Sequence, residues 1–228
     1  MGASRQARDF HNQINTLGLF PIAKQEAYWE RDAMNEILGS VAHIGEIKTP
    51  APTISGIHHS AFRCRDAGET RKFYVDILGL EDAAALAFDK DPAGNDRPFM
   101  HLFFKMGDGK FLAFFDEPNS VKEELFTVKD GIEDYHFAFE VSSMDEQAQF
   151  MTRLQEAKVP VFGPIDHTFC HSIYFFDPNG LALEITVRDA CHDKYMAEEG
   201  AQARAAIEKW TQRTQALKQA RLAQAAAE

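Results

Sequence analysis

The chain has 228 residues, enough for one sizeable core or two small ones, and its 24 Lys and Arg against 35 Asp and Glu give a net charge of −11. That balance argues against nucleic-acid phosphate or an acidic membrane surface as the main partner, and no apolar run is long enough to span a bilayer. The first residues, Met1-Gly-Ala-Ser-Arg-Gln6, carry neither the apolar core of a secretion signal nor a complete myristoylation pattern, and Cys64, Cys170 and Cys191 show no paired spacing. A cytoplasmic protein with free thiols is the expectation.

Residues 1–53 read as a helical N-terminal arm and linker. Gly18 and Pro21 break a first segment, a second helix is expected over about Lys24–Leu38, and Pro50 and Pro52 favour extended chain. From Ile54 the texture changes. His59-Ser-Ala-Phe-Arg-Cys64 alternates, with Phe62 and Cys64 on one face and His59, Ala61 and Arg63 on the other. A helix is predicted over Gly68–Leu78 and ends at Gly79. Strands follow around Ala83–Phe88, Phe99–Met106 and Lys110–Phe115, the last two joined by a hairpin at Gly107-Asp-Gly109.

The order then repeats. Tyr135–Val141 is a strand, with Phe137, Phe139 and Val141 opposite His136, Ala138 and Glu140. A helix is expected over Met144–Ala157, then strands at Val161–Phe162, Ser172–Phe176 and Leu181–Val187. Asp177-Pro-Asn-Gly180 turns the chain between the last two, because Pro fixes φ and Gly tolerates positive φ. Glu184 shares its strand face with Ala182 and Thr186, whereas Leu181, Leu183, Ile185 and Val187 share the other. The fold class expected is therefore α+β. Paired βαβββ modules, about 54–118 and 131–190 within a 54–190 domain, form a cupped mixed sheet around a metal site, with helical N- and C-terminal arms. Residues 191–228 form the C-terminal helix. Its thin apolar stripe of Ile207, Trp210, Leu217 and Leu222 needs cover, which predicts a homo-oligomer or docking on the protein's own body.

His59 and His136 open the two halves at equivalent positions, and Glu184 is an acid on an otherwise apolar strand. Two histidines and a carboxylate of matching parity have the composition of a facial site that holds Fe(II), alternatively Mn(II), and leaves positions open. The competing reading is that all three are ordinary polar residues of a half-wet cup.

The same residues carry a resemblance. His59-Ser-Ala-Phe-Arg-Cys-Arg-Asp66 followed by Lys72-Phe-Tyr-Val-Asp-Ile-Leu-Gly-Leu80 resembles the opening of a module of the vicinal oxygen chelate (glyoxalase/bleomycin resistance/dioxygenase) superfamily, over about residues 54–190. Within it, Ile165-x-His167, then Ile173-Tyr174, Asp177-Pro178-x-Gly180 and Glu184 resemble the signature of type I extradiol ring-cleavage dioxygenases. The resemblance implies that His59, His136 and Glu184 are the metal ligands. His59 rather than His58 fits the family spacing to Asp66. It also implies that Tyr174 and His167 sit beside the substrate, and that a small aromatic diol binds iron through both oxygens with O2 at the remaining position. Ala113 stands where the glyoxalase branch has a fourth ligand. The family's first-module acid/base histidine is replaced, with Lys110 at the apparent site. Lys110, His101 or His171 is then left to move protons, with His101 the first to test. Other metal-dependent chemistry of the superfamily (a lyase, isomerase or thiol transferase) and a non-catalytic binding or resistance protein remain as alternatives. His11, His43 and His192 are expected to be solvated. Phe62, Phe137, Phe139 and Phe175 are expected in the core, and Phe103, Phe111, Phe115 and Phe176 either along the cup or, as the default, in the core.

Overall fold

The structure is a computed structural model that describes residues 49–90, 94–119, 122–127, 132 and 135–225. The expected N-terminal helices, with His11 and His43, lie outside these residues. The elements are β1 (His59–Cys64), α1 (Ala67–Arg71) continuing into a π-helical turn (Lys72–Ile77), β2 (Glu81–Lys90), β3 (Asp96–Lys105), β4 (Phe111–Asp116), β5 (Phe137–Glu140), α2 (Met144–Glu156), β6 (Phe162–Asp166), β7 (Cys170–Phe176), β8 (Ala182–Arg188) and α3 (His192–Ala225), with a 3-10 turn at Glu123–Phe126. Two four-stranded sheets result, in the orders β1-β4-β3-β2 and β5-β8-β7-β6. Two βαβββ modules are thus present, with a helical C-terminal arm.

The chain forms two compact units, residues 1–63 with 83–121, and residues 64–82 with 122–228. The helical segment of the first module therefore belongs with the second sheet.

In the first unit, alternation along the strands makes two unlike faces. Phe62 and Phe104 both meet Phe114 (ring centroids 5.9 and 6.0 Å apart), and with buried Leu102 and Leu112 they form the apolar face. The opposite face carries His59, His101, Phe103, Phe111 and Phe115, held in register by the antiparallel pairs His101↔Phe115 and Phe103↔Ala113. The hairpin closes through Met106 N–H on the Lys110 carbonyl and Gly109 N–H on the Met106 carbonyl.

In the second unit, α1 and α2 each begin on a side-chain cap. Asp66 accepts from Glu69 N–H at 2.8 Å, and Ser143 accepts from Glu146 N–H at 3.2 Å, which satisfies donors the first turn leaves open. Leu154, Ile173, Phe175, Leu183, Ile185 and Phe73 build the core. Gln147, buried among them, donates to the carbonyls of His171 and Ile185 and so ties α2 to β7 and β8. Arg153 donates to the carbonyls of Asp76 and Ile77, and the Tyr74 hydroxyl donates to Asp177 Oδ2 at 3.0 Å. Asp177 also accepts from Asn179 and Leu181 N–H, which shapes the turn. Gly180 sits there at φ +78°, where a Cβ would come within 2.7 Å of the Phe126 carbonyl oxygen, so only glycine fits. The β7–β8 ladder that follows pairs Tyr174 with Glu184.

Along α3, Ile207, Trp210 and Leu217 are exposed. No helix among the described residues is long and apolar enough to cross a membrane.

Candidate active site

The second unit brings four of the expected site residues together. Glu184 lies in the middle of β8 and is buried, 6% exposed. Its neighbours across the sheet are Ala138 of parallel β5 and Tyr174 of antiparallel β7, so the carboxylate and the phenol rise from the same face. His136 precedes β5 by one residue rather than starting it. Its Nδ1–H donates to the Ile132 carbonyl at 2.8 Å, and its Nε2 stands 3.0 Å from Glu184 Oε2. The ring is thereby oriented by a backbone acceptor on one nitrogen and presents the other beside the carboxylate. In the neutral tautomer with the proton on Nδ1, Nε2 is the lone-pair nitrogen, the arrangement a metal-ligating imidazole adopts. One imidazole nitrogen and one buried carboxylate oxygen within hydrogen-bond distance fit two adjacent positions of a divalent metal.

His167 follows β6 and its Nε2 lies 2.9 Å from the Tyr174 hydroxyl. It is therefore tied to Tyr174. Burial, then the charge of Glu184, raises the Tyr174 pKa, so the phenol keeps its proton.

His59 opens β1 in the first unit. It touches Phe103, and its Nδ1 lies 2.9 Å from Nδ1 of His58. His101 is on the same face, stacked on Phe115 at 3.8 Å and against Phe103 at 4.2 Å. Its Nε2 is buried without a hydrogen-bond partner. Burial lowers its pKa, and nearby His59 lowers it further, which favours the neutral imidazole. Within neither unit, among the described residues, are three or more His, Cys, Asp or Glu side chains gathered about one metal-sized position.

The other two proton-transfer candidates have partners of their own. Lys110 donates from both Nζ and its backbone N–H to Asp108 and belongs to the hairpin turn. His171 lies on β7 at odd parity to Tyr174, on the face that meets α2, and its Nε2 is 3.3 Å from Asp189. His192 is not solvated as expected. It is half-buried, packed near Phe169 and paired with Asp193.

Three further residues on the His59 face carry no local motif. Arg97 makes a bidentate pair with buried Glu117, and Arg63 is ion-paired with the same carboxylate. The signal available in the sequence was parity. Arg63 shares a face with His59, and Arg97 shares one with His101, each four residues away.

The family model for the Glyoxalase/Bleomycin resistance protein/Dioxygenase superfamily matches residues 56–185, more than half of the chain. No curated protein matches it. Among solved structures, a glyoxylase/bleomycin resistance protein/dioxygenase domain from Frankia sp. EAN1pec is 20% identical, covers 60% of this chain and 100% of its own, and superposes with a TM-score of 0.50. A glyoxalase/dioxygenase from Nostoc punctiforme is 26% identical over 64% of this chain and 99% of its own, with a TM-score of 0.48. The fosfomycin resistance protein FosX from Listeria monocytogenes, complexed with Mn(II) and sulfate, is 18% identical over 62% and 98%, with a TM-score of 0.44. With two βαβββ modules and a family match across both, the chain belongs to the glyoxalase/bleomycin resistance/dioxygenase (vicinal oxygen chelate) superfamily.

Proposed function

We propose that this protein is a metal-dependent dioxygenase of the extradiol type, which inserts O2 into a catechol-like aromatic substrate and opens its ring. The observation that carries the reading is the oriented pair of His136 and Glu184 with Tyr174 directly across the ladder from Glu184. His59, His136 and Glu184 would hold Fe(II), with Mn(II) as the alternative. When bound, that metal supplies Lewis acidity toward both substrate oxygens and the electronic route from ring to O2. Ala113, on the β4 position facing Phe103, offers no fourth donor, which favours positions left open for substrate and O2.

The remaining work falls to the protein. Tyr174 keeps its proton and can donate it in a hydrogen bond to a substrate oxygen. With Nε2 protonated, His167 donates to the phenol oxygen, so the Tyr174 O–H beside Glu184 is the donor that would turn to a substrate oxygen. His101, its pKa lowered and its Nε2 without a partner, is the group suited to take a proton from the diol. The aromatic faces of Phe103, Phe111 and Phe115 supply an apolar surface for a ring.

The test is to purify the protein anaerobically, load Fe(II), and follow oxygen uptake and ring-cleavage absorbance across a panel of catechols. Oxygen consumption coupled to a ring-cleavage product is expected. Stable Fe(II) binding with no uptake on any diol would reject the reading. Loading by zinc or nickel with turnover that needs no O2 would move the assignment to a lyase, isomerase or thiol transferase of the same superfamily.

A further inference from the structure

We propose that the exposed row along α3 is the contact by which two copies of this chain pair, their α3 helices running antiparallel. The proposal is independent of the ring-cleavage reading. α3 is 34 residues long, and its start is held by the stack of Tyr195 on Phe169 at 5.2 Å. From Met196 to Arg213 every residue is exposed, and Trp210, Ile207 and Leu217 remain 53%, 65% and 73% exposed. Met196, Gly200, Ala203, Ile207, Trp210, Thr214 and Leu217 follow one another in steps of four and three, the spacing of a seam that faces a second helix. That row spans about 32 Å. Thr214 is the one member of the row already buried, its hydroxyl turned back on the Trp210 carbonyl at 2.9 Å.

Charge decides the occupant and its direction. Residues 193–208 carry four acids (Asp193, Glu198, Glu199 and Glu208) against Lys194 and Arg204, whereas residues 209–225 carry Lys209, Arg213, Lys218 and Arg221 and no acid. The helix dipole favours such a gradient only within the end turns, and Glu199 and Lys209 lie inside them. Glu199, Lys209, Lys218 and Arg221 make no ion pair among the described residues. Two copies running the same way would set like charge on like. Antiparallel, the acidic half meets the basic half at both ends, a self-complementary two-fold contact. With the axis between Glu208 and Lys209, Ile207 meets Trp210 of the second copy, Ala203 meets its Thr214, and Gly200 its Leu217. Each layer then sets a smaller residue against a larger one. Glu198 and Glu199 come level with Arg221 and Lys218 of the second copy. Arg204 comes level with Arg213 of the second copy, but each is already engaged, by Glu208 and by the Trp210 ring.

The experiment is sedimentation equilibrium of the full chain over a range of concentrations, at low and at high salt. A dimer is expected, loosened as salt rises. Trp210→Ser should weaken it about 30-fold or more. Glu198→Lys with Glu199→Lys should weaken it about tenfold at low salt, and adding Lys218→Glu with Arg221→Glu should restore most of that loss. The two charge pairs lie about 30 Å apart within one helix, so the recovery reports contact between copies. All of these positions are exposed in the single chain, so each variant should keep the wild-type circular dichroism. A monomer at every concentration, which cover by the chain's own N-terminal arm predicts, would overturn the proposal. So would a dimer that Trp210→Ser leaves unchanged, or one that the acidic swap does not weaken, as a parallel pair predicts.

Discussion

His136 Nε2 stands 3.0 Å from Glu184 Oε2 while the other nitrogen of the same ring is bound to the Ile132 carbonyl. A histidine held in this way cannot swing off the carboxylate without breaking a hydrogen bond. His136→Ala and Glu184→Gln are each expected to weaken Fe(II) or Mn(II) affinity by about 100-fold or more, since even outer partners of ligands are worth 10- to 100-fold. Metal analysis after dialysis against a fixed free-metal buffer checks this. Wild-type metal content in His136→Ala would remove that residue from the ligand set.

Tyr174 is the cross-strand partner of Glu184 and the hydrogen-bond partner of His167. Tyr174→Phe keeps the ring and loses only the hydroxyl. The variant should retain metal and lose about 100-fold or more in kcat. Equal losses of metal and rate would show that the phenol supports the ligands instead.

His101 bears on the acid limb of the rate profile. Its pKa is lowered by burial and by His59, so the neutral base persists below the ordinary histidine value of 6.5. With a catechol whose oxygens stay protonated across the range, kcat/KM for the wild type is expected to fall only as pH drops through a value below 6.5. In His101→Gln that limb should vanish and the plateau should drop about 100-fold. An unchanged profile would assign proton transfer elsewhere.

Tyr74 gives a prediction about stability. Its hydroxyl is fully buried, 3.0 Å from Asp177, and burial followed by the Asp177 charge raises its pKa well above 10.0. The unfolded chain therefore releases this proton first, and stability present below pH 10.0 is lost as pH rises beyond it. Tyr74→Phe should cost about 1–3 kcal/mol at neutral pH by stripping Asp177 of a donor. The gap to wild type should narrow above pH 10 in urea unfolding curves; a constant gap would contradict the buried ionisation.

Period-two alternation was sufficient to assign faces within a strand. It put His59 with Arg63, Glu184 opposite Leu183 and Ile185, and Phe62 with Cys64, because successive side chains leave a strand on opposite sides whatever the strand pairs with. The turn at Asp177–Gly180 and the hairpin at Gly107–Gly109 were legible for a similarly local reason, and so was the βαβββ repeat with its superfamily resemblance. His171 stood among the proton-transfer candidates although its odd offset from Tyr174 places it on the helix-facing side. What only the tertiary structure decided is which strands meet and at what register. The Tyr174↔Glu184 and His101↔Phe115 pairs, the convergence of Arg63 and Arg97 on Glu117, and the membership of residues 64–82 in the second unit all join positions far apart in the chain. Lys110 pairs with Asp108, two residues away, within the hairpin turn. Alternation is a property of one strand's geometry, whereas register and partnership come from packing between strands.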